Sequence, residues 1–198
     1  MKRLTELQID KKYISILCSG FSTDALMDED FDRIKKNSFT IAINEALIDR
    51  VVPDARFWYD YTYTAENDKM RKNCLYITNL RALRYESFDL VDYVYPHEGN
   101  VYEGNYSVYV LLQLLKWCGF KQDVLIFGMD CTGNSARKCL CNGELVIKHR
   151  ERYDSKLHEM RDLISNWYER EKVTNVWNCS DISTVKIPKI DYKEILNG

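Results

Sequence analysis

Tyr13-Ile-Ser-Ile-Leu-Cys18, followed by Ser19-Gly20-Phe21-Ser22, is the stretch that decides the fold. A short apolar run breaks off into small and polar residues, which is how a buried strand entering a tight turn reads.

Residues 24–36 carry Ala25, Leu26, Phe31 and Ile34 among charges, which predicts one helix or two short ones. Phe39-Thr-Ile-Ala-Ile43 reads as a second strand with Asn44 at its end. Pro53-Asp54 makes a turn before Ala55-Arg-Phe-Trp-Tyr59, a third strand ending at Asp60. Cys74-Leu-Tyr-Ile77 and Val91-Asp-Tyr-Val-Tyr95 follow as a fourth and fifth. Residues 106–118 are apolar on nearly every side, so a buried helix is expected there, capped by Gly119. Asp123-Val-Leu-Ile-Phe127 is the next strand, with Gly128-Met129-Asp130 at its end. Residues 138–141 and 144–149, joined by Asn142-Gly143, predict a β-hairpin with a type I′ turn. Asp154 is the expected N-cap of a helix running to about residue 171, and Thr174-Asn-Val-Trp-Asn178 the last strand before a tail. Strands alternating with helices predict an α/β, Rossmann-like architecture. Its sheet is mostly parallel and flanked by helices, with a small hairpin insertion near 138–149.

The 198 residues, 45% apolar and 29% charged, are read as a single nucleotide-binding α/β domain, since no Pro- or Gly-rich linker divides them. A net charge of −2 argues against general nucleic-acid binding, which usually shows as a basic excess; Lys148, Arg150 and Arg152 form at most a local patch. Seven cysteines, a polar start and no apolar run of about 20 residues fit a cytoplasmic chain with free thiols and no transmembrane segment. The fourteen tyrosines suit half-buried strand faces more readily than a sugar pocket. Oligomeric state, a homo-oligomer included, is left open.

Polar residues fall at the strand ends: Ser19-Gly20, Asn44, Asp60 and Asp130. In a parallel sheet they share the edge at which open α/β sheets bind ligands. Gly20 allows close backbone approach, a following helix N-terminus offers N–H groups to phosphate, and Asn44 can pair with a base or ribose. Gly, Asn and Asp end strands in any fold. One such residue would carry nothing; four on one edge read as a nucleotide site. Neither G-x-G-x-x-G nor G-x-x-x-x-G-K-[ST] is present, which sets aside dinucleotide dehydrogenases and P-loop enzymes.

In this order the residues resemble the bacterial sialyltransferases of glycosyltransferase family 42. They are also similar to a wider group of phage and prokaryotic proteins that includes archaeal 6-hydroxymethylpterin diphosphokinases. The matching stretches are Cys18-Ser19-Gly20-Phe21-Ser22, Ile41-Ala-Ile-Asn44, Trp58-Tyr59-Asp60, Tyr106-Ser107-Val108-Tyr109, Gly128-Met129-Asp130 and residues 176–183. The resemblance implies that Ser19, Gly20, Ser22, Asn44 and Asp60 hold a cytidine nucleotide, with Ser107 a further contact and Asp130 on the same edge. It also implies that His149, five residues before Asp154, is the general base. Tyr102, Tyr106 and Tyr153 are candidates for the tyrosine pair that steadies the leaving phosphate. Ser19 and Phe21 depart from the family's Asn and Pro in the first turn.

The expected activity is therefore transfer of a sialic-acid-like sugar from a nucleotide donor, CMP-sugar favoured, to a hydroxyl acceptor without an obligatory metal. Histidine can accept the acceptor's proton near neutral pH, and a helix N-terminus and Tyr hydroxyls can receive the leaving phosphate. His158 falls inside a helix, and His97 in a loop on the acceptor side. Asp28-Glu29-Asp30 has the D-x-D form of metal-dependent transferases but lies in an expected helix. Cys131, Cys139, Cys141 and His149 could hold zinc, although C-x-C is not among the strong spacings. One alternative is a pterin-type diphosphokinase using ATP and Mg²⁺, with Asp60 and Asp130 as ligands. Another is a non-catalytic nucleotide-binding module.

Overall fold

A computed structural model of the protein describes residues 2–44, 46–47, 50–59, 74–79, 91–95, 106–132, 136–141, 144–149 and 154–197, the side chains of residues 79, 136–149 and 154–155 excepted. In chain order the strands are β1 (Lys2–Arg3), β2 (Tyr13–Leu17), β3 (Ser38–Ile43), β4 (Ala55–Trp58), β5 (Leu75–Asn79), β6 (Tyr93–Tyr95), β7 (Asp123–Phe127), β8 (Ala136–Cys141), β9 (Glu144–His149) and β10 (Val176–Asn178). The helices are α1 (Asp28–Asn37), α2 (Ser107–Trp117), α3 (Asp154–Arg170) and α4 (Tyr192–Leu196). Eight strands form one sheet in the order β1-β6-β5-β4-β3-β2-β7-β10, with every pairing parallel. The fold is α/β and Rossmann-like, as the alternation of strands and helices requires. β8 and β9 pair antiparallel by themselves, in a register that sets Cys141 opposite Glu144.

β2 is buried along its whole length because both faces of the sheet are covered. Ile14, Ile16 and Cys18 join Ile41, Phe57, Ile77, Val124 and Ile126 in a core completed by α2 and by Ile164 and Trp167 of α3. Tyr13 and Leu17 join Ala42, Leu125 and Phe127 in a second core, closed by Phe31 and Ile34 of α1 and by Tyr192 and Leu196 of α4. α2 is buried from Ser107 to Leu115, which explains its apolar circumference. It ends as Gly119 dictates: at φ 77° this glycine donates to the Lys116 carbonyl while the Phe120 N–H reaches that of Leu115.

Ser15 is a misfit in this core. It is fully buried in β2, and its Oγ has no hydrogen-bond partner among the described residues. Ser15→Ala keeps the volume and removes a desolvated hydroxyl, so it is expected to stabilise the fold by about 1 kcal/mol, or roughly 2–4 °C in Tm. A thermal melt of the variant that moves downward would show the hydroxyl to be satisfied.

The structure refines several sequence expectations. The first helical segment divides into a 3-10 turn, Phe21–Ala25, and α1. The Asp30 carboxylate accepts the Met27 N–H and so starts a new helix at Asp28. Asp154 is the first residue of α3 rather than its cap, and the hairpin begins two residues early, at Ala136. β1 and α4 were not anticipated: a two-residue strand has no period, and α4 shows one apolar spacing, Tyr192 to Leu196, inside an apparent tail. Among the described residues, no helix is long and apolar enough to cross a membrane.

Candidate functional site

β2 is where the strand order reverses. The chain lays β3 to β6 on one side of it and β7 and β10 on the other. In open α/β sheets the ligand crevice opens at the carboxyl ends of such strands. Here the gap between β2 and β7 is filled by the protein itself. The ladder runs past the strand ends, with Cys18 N–H to the Phe127 carbonyl at 2.8 Å and Gly20 N–H to that of Gly128 at 2.9 Å. A Cβ on Gly20 would lie 2.3 Å from the Gly128 oxygen and 2.5 Å from Asp130 Oδ2. Gly128, at φ 72°, would set its own Cβ 2.6 Å from the Cys18 oxygen.

Asp130 organises this edge. Its carboxylate is buried and takes the Ser22 N–H on Oδ2 at 2.9 Å. Oδ1 takes the hydroxyls of Ser22 and Ser180, each at 2.5 Å. The turn after β10 is bound into the same network. Asn178 Oδ1 accepts the Ser180 N–H, its amide donates to Ser183 Oγ, and Ser183 Oγ donates to the Met129 carbonyl. The Asp130 carbonyl accepts the Thr184 N–H.

This changes where a phosphate can bind. The turn after Gly20 was expected to present free N–H groups to an anion. Instead Ser22 N–H goes to Asp130 and Thr23 N–H to the Gly20 carbonyl. A carboxylate lies directly beneath, which disfavours a second anion. Ser19 is exposed and Ser22 half-buried, so the turn keeps a polar surface.

Asn44 sits at the carboxyl end of β3 with φ 51°, a left-handed conformation that Asn tolerates. Its backbone is fixed on both sides: the N–H donates to the Phe57 carbonyl, and its own carbonyl accepts Nη1 of the buried Arg56 at 2.8 Å. Its side-chain Oδ1 is buried and finds no partner among the described residues. A buried amide oxygen without a donor is uncommon in folded proteins.

The last turn of α2 adjoins the starts of β7 and β10, for Lys116, Phe120, Val124 and Val176 line one cleft of about 380 Å³. α2 therefore runs against the strands, and its first turn faces the carboxyl edge. The free N–H groups of a helix start are concentrated there, Tyr106 at the cap position offers no side-chain cap, and Ser107 is buried. Tyr106 is engaged elsewhere, its hydroxyl donating to Glu159 Oε2 at 2.7 Å. Burial, with that bond, pushes its pKa up to about 12.

Of the other expected site residues, Asp60, Tyr102 and Tyr153 lie outside the described residues, as does His97. His149 closes β9 opposite Ala136, and its side chain is outside the description. His158 is an exposed residue of α3, 3.1 Å from Arg161 through Nδ1. Asp30 of the D-x-D is a structural carboxylate. Burial opposes its ionisation, yet the Met27 N–H, Tyr192, Lys193 and Arg33 hold its pKa below the ordinary value. Cys131 packs in the core, where burial and Asp130 push its thiol up to about 12. Among the described residues no group of three or more His, Cys, Asp or Glu side chains could hold a metal. Ser180, Asn178 and Ser183 were not foreseen as parts of the edge; the one hint was a Ser-rich turn after the last strand.

No family model and no curated protein matches the sequence. Among solved structures the chain is similar to the MAf glycosyltransferase from Magnetospirillum magneticum AMB-1, with a TM-score of 0.56 and 16% identity. The match covers 92% of this chain and 34% of that one, so the chain spans about a third of that enzyme's length. At this identity the likeness is one of fold.

Proposed function

We propose that this chain is a sialyltransferase-like glycosyltransferase working in the cytoplasm, with a CMP-sugar as donor and a hydroxyl compound as acceptor. The observation that carries the reading is the buried, unpartnered Oδ1 of Asn44 at the carboxyl edge, in a fold shared with a solved glycosyltransferase. Asn44 accepts from a ribose hydroxyl or a base amine. The turn of Ser19, Gly20 and Ser22 lies against the uncharged nucleoside, and Asp60 is a further contact in this scheme. The donor phosphate meets the first turn of α2 and Ser107, aided by Tyr102 or Tyr153. His149 takes the proton of the acceptor hydroxyl as its oxygen bonds to the anomeric carbon and the bond to the CMP oxygen breaks. No metal is needed in this scheme.

Binding measured calorimetrically with CMP, UMP, GDP and ATP, and transfer assays with CMP-, UDP- and GDP-sugars with and without EDTA, test the proposal. Tightest binding of CMP with EDTA-insensitive turnover is expected. Mg²⁺-dependent use of ATP would replace it by the diphosphokinase reading, and binding without turnover by the non-catalytic one. Asn44→Ala is expected to weaken nucleotide affinity by about 5–30-fold, the size of one lost hydrogen bond. Its melting temperature is expected to fall by only about 2–4 °C, from left-handed strain of about 1 kcal/mol at φ 51°, because Oδ1 has no partner among the described residues to lose. Unchanged affinity would remove Asn44 from the pocket.

A further inference from the structure

We propose that Asp130 is a positioning residue that shapes the first turn from beneath and touches no ligand, resting on the reading of that turn as part of the nucleotide site. Asp130 is 3% exposed, and its carboxylate already holds three protein donors, two from Ser22 and one from Ser180. With Gly20 pressed against Oδ2, a metal or nucleotide could reach it only by displacing the turn. The three donors come from the turns after β2 and β10, so one side chain at the end of β7 ties three strand ends together. Ser180 is itself 1% exposed and can influence a ligand only through this carboxylate.

The geometry makes a distinctive prediction. Both partners of Oδ1 are hydroxyls, which can turn from donors to acceptors. A carboxamide can therefore replace the carboxylate, its oxygen keeping the Ser22 N–H and its NH₂ donating to Ser22 and Ser180. Asp130→Ala leaves all three groups without a partner.

Hydrogen exchange followed by mass spectrometry over residues 18–23 reads the turn with no nucleotide present. Protection is expected to fall at least tenfold in Asp130→Ala, from the loss of hydrogen bonds to a charged group. Asp130→Asn should recover most of it, and Ser180→Ala should lose a few-fold. CMP affinity should follow the same order, with EDTA making no difference. If Asp130→Asn is as damaging as Asp130→Ala, the charge itself acts on a ligand or metal and the proposal fails. It fails equally if Ser180→Ala leaves both exchange and affinity as in the wild type, a variant that serves if Asp130→Ala does not fold. A wild-type protein that binds no nucleotide yet shows the exchange pattern would sink the nucleotide reading alone.

Discussion

Gly20→Ala is expected to lower the melting temperature by roughly 6–12 °C, from an overpacking cost of about 3 kcal/mol. Backbone conformation is not the reason, since Gly20 has φ −77°, which any residue adopts. The reason is space. The added methyl would stand 2.3 Å from a backbone oxygen and 2.5 Å from a carboxylate held by three donors. Neither neighbour is the loose end of a flexible side chain, so the ends of β2 and β7 must part. Gly119→Ala provides the contrast. That glycine has φ 77° and nothing within 4 Å of a built Cβ, so only left-handed strain of about 1 kcal/mol applies. Parallel thermal melts decide the matter, and a Gly20→Ala protein melting within a degree of wild type would mean that the two strand ends are loosely joined.

His149→Gln is expected to reduce kcat by about 10²–10⁴-fold, the usual contribution of a positioned general base. Nucleotide affinity should barely change, because the proposed scheme has the imidazole act on the acceptor and not on the donor. In the wild type, the rate should fall as pH drops and the imidazole becomes protonated; the variant should lack that acid limb. Initial rates across pH, with donor binding measured separately, check both parts. Retention of near-wild-type turnover would assign the base elsewhere, and a parallel loss of donor binding would make His149 a donor contact.

The strands of the large sheet other than β1 were legible because they are short apolar runs stopped by a polar or small residue, and β7 matches its expected bounds of 123–127. Gly20, Asn44 and Asp130 were legible for the same reason, as residues that follow such runs. What each does there was not. Asp130 finds its partners 108 and 50 residues away, at Ser22 and Ser180, and no local pattern encodes that meeting. Arg56 is likewise hidden, a charge inside an apolar strand whose guanidinium is spent on the carbonyls of Asn44 and Ala46. Sequence spacing reports which side chains share a face, but not which donors from distant loops will reach an acceptor.

The strand order also has a consequence for how the chain is made. β2 is synthesised early, but its neighbour β7 comes 110 residues later, since Leu17 pairs with Phe127. At ribosomal speeds of about 5–20 residues per second, that edge waits on the order of ten seconds for its mate. Through that interval a nascent chain exposes an unpaired, largely apolar strand edge, the kind of template on which chains aggregate. High contact order slows the final closure further. Yield during expression is therefore expected to rise with slower translation, lower temperature or added chaperone, although the finished sheet needs none of them.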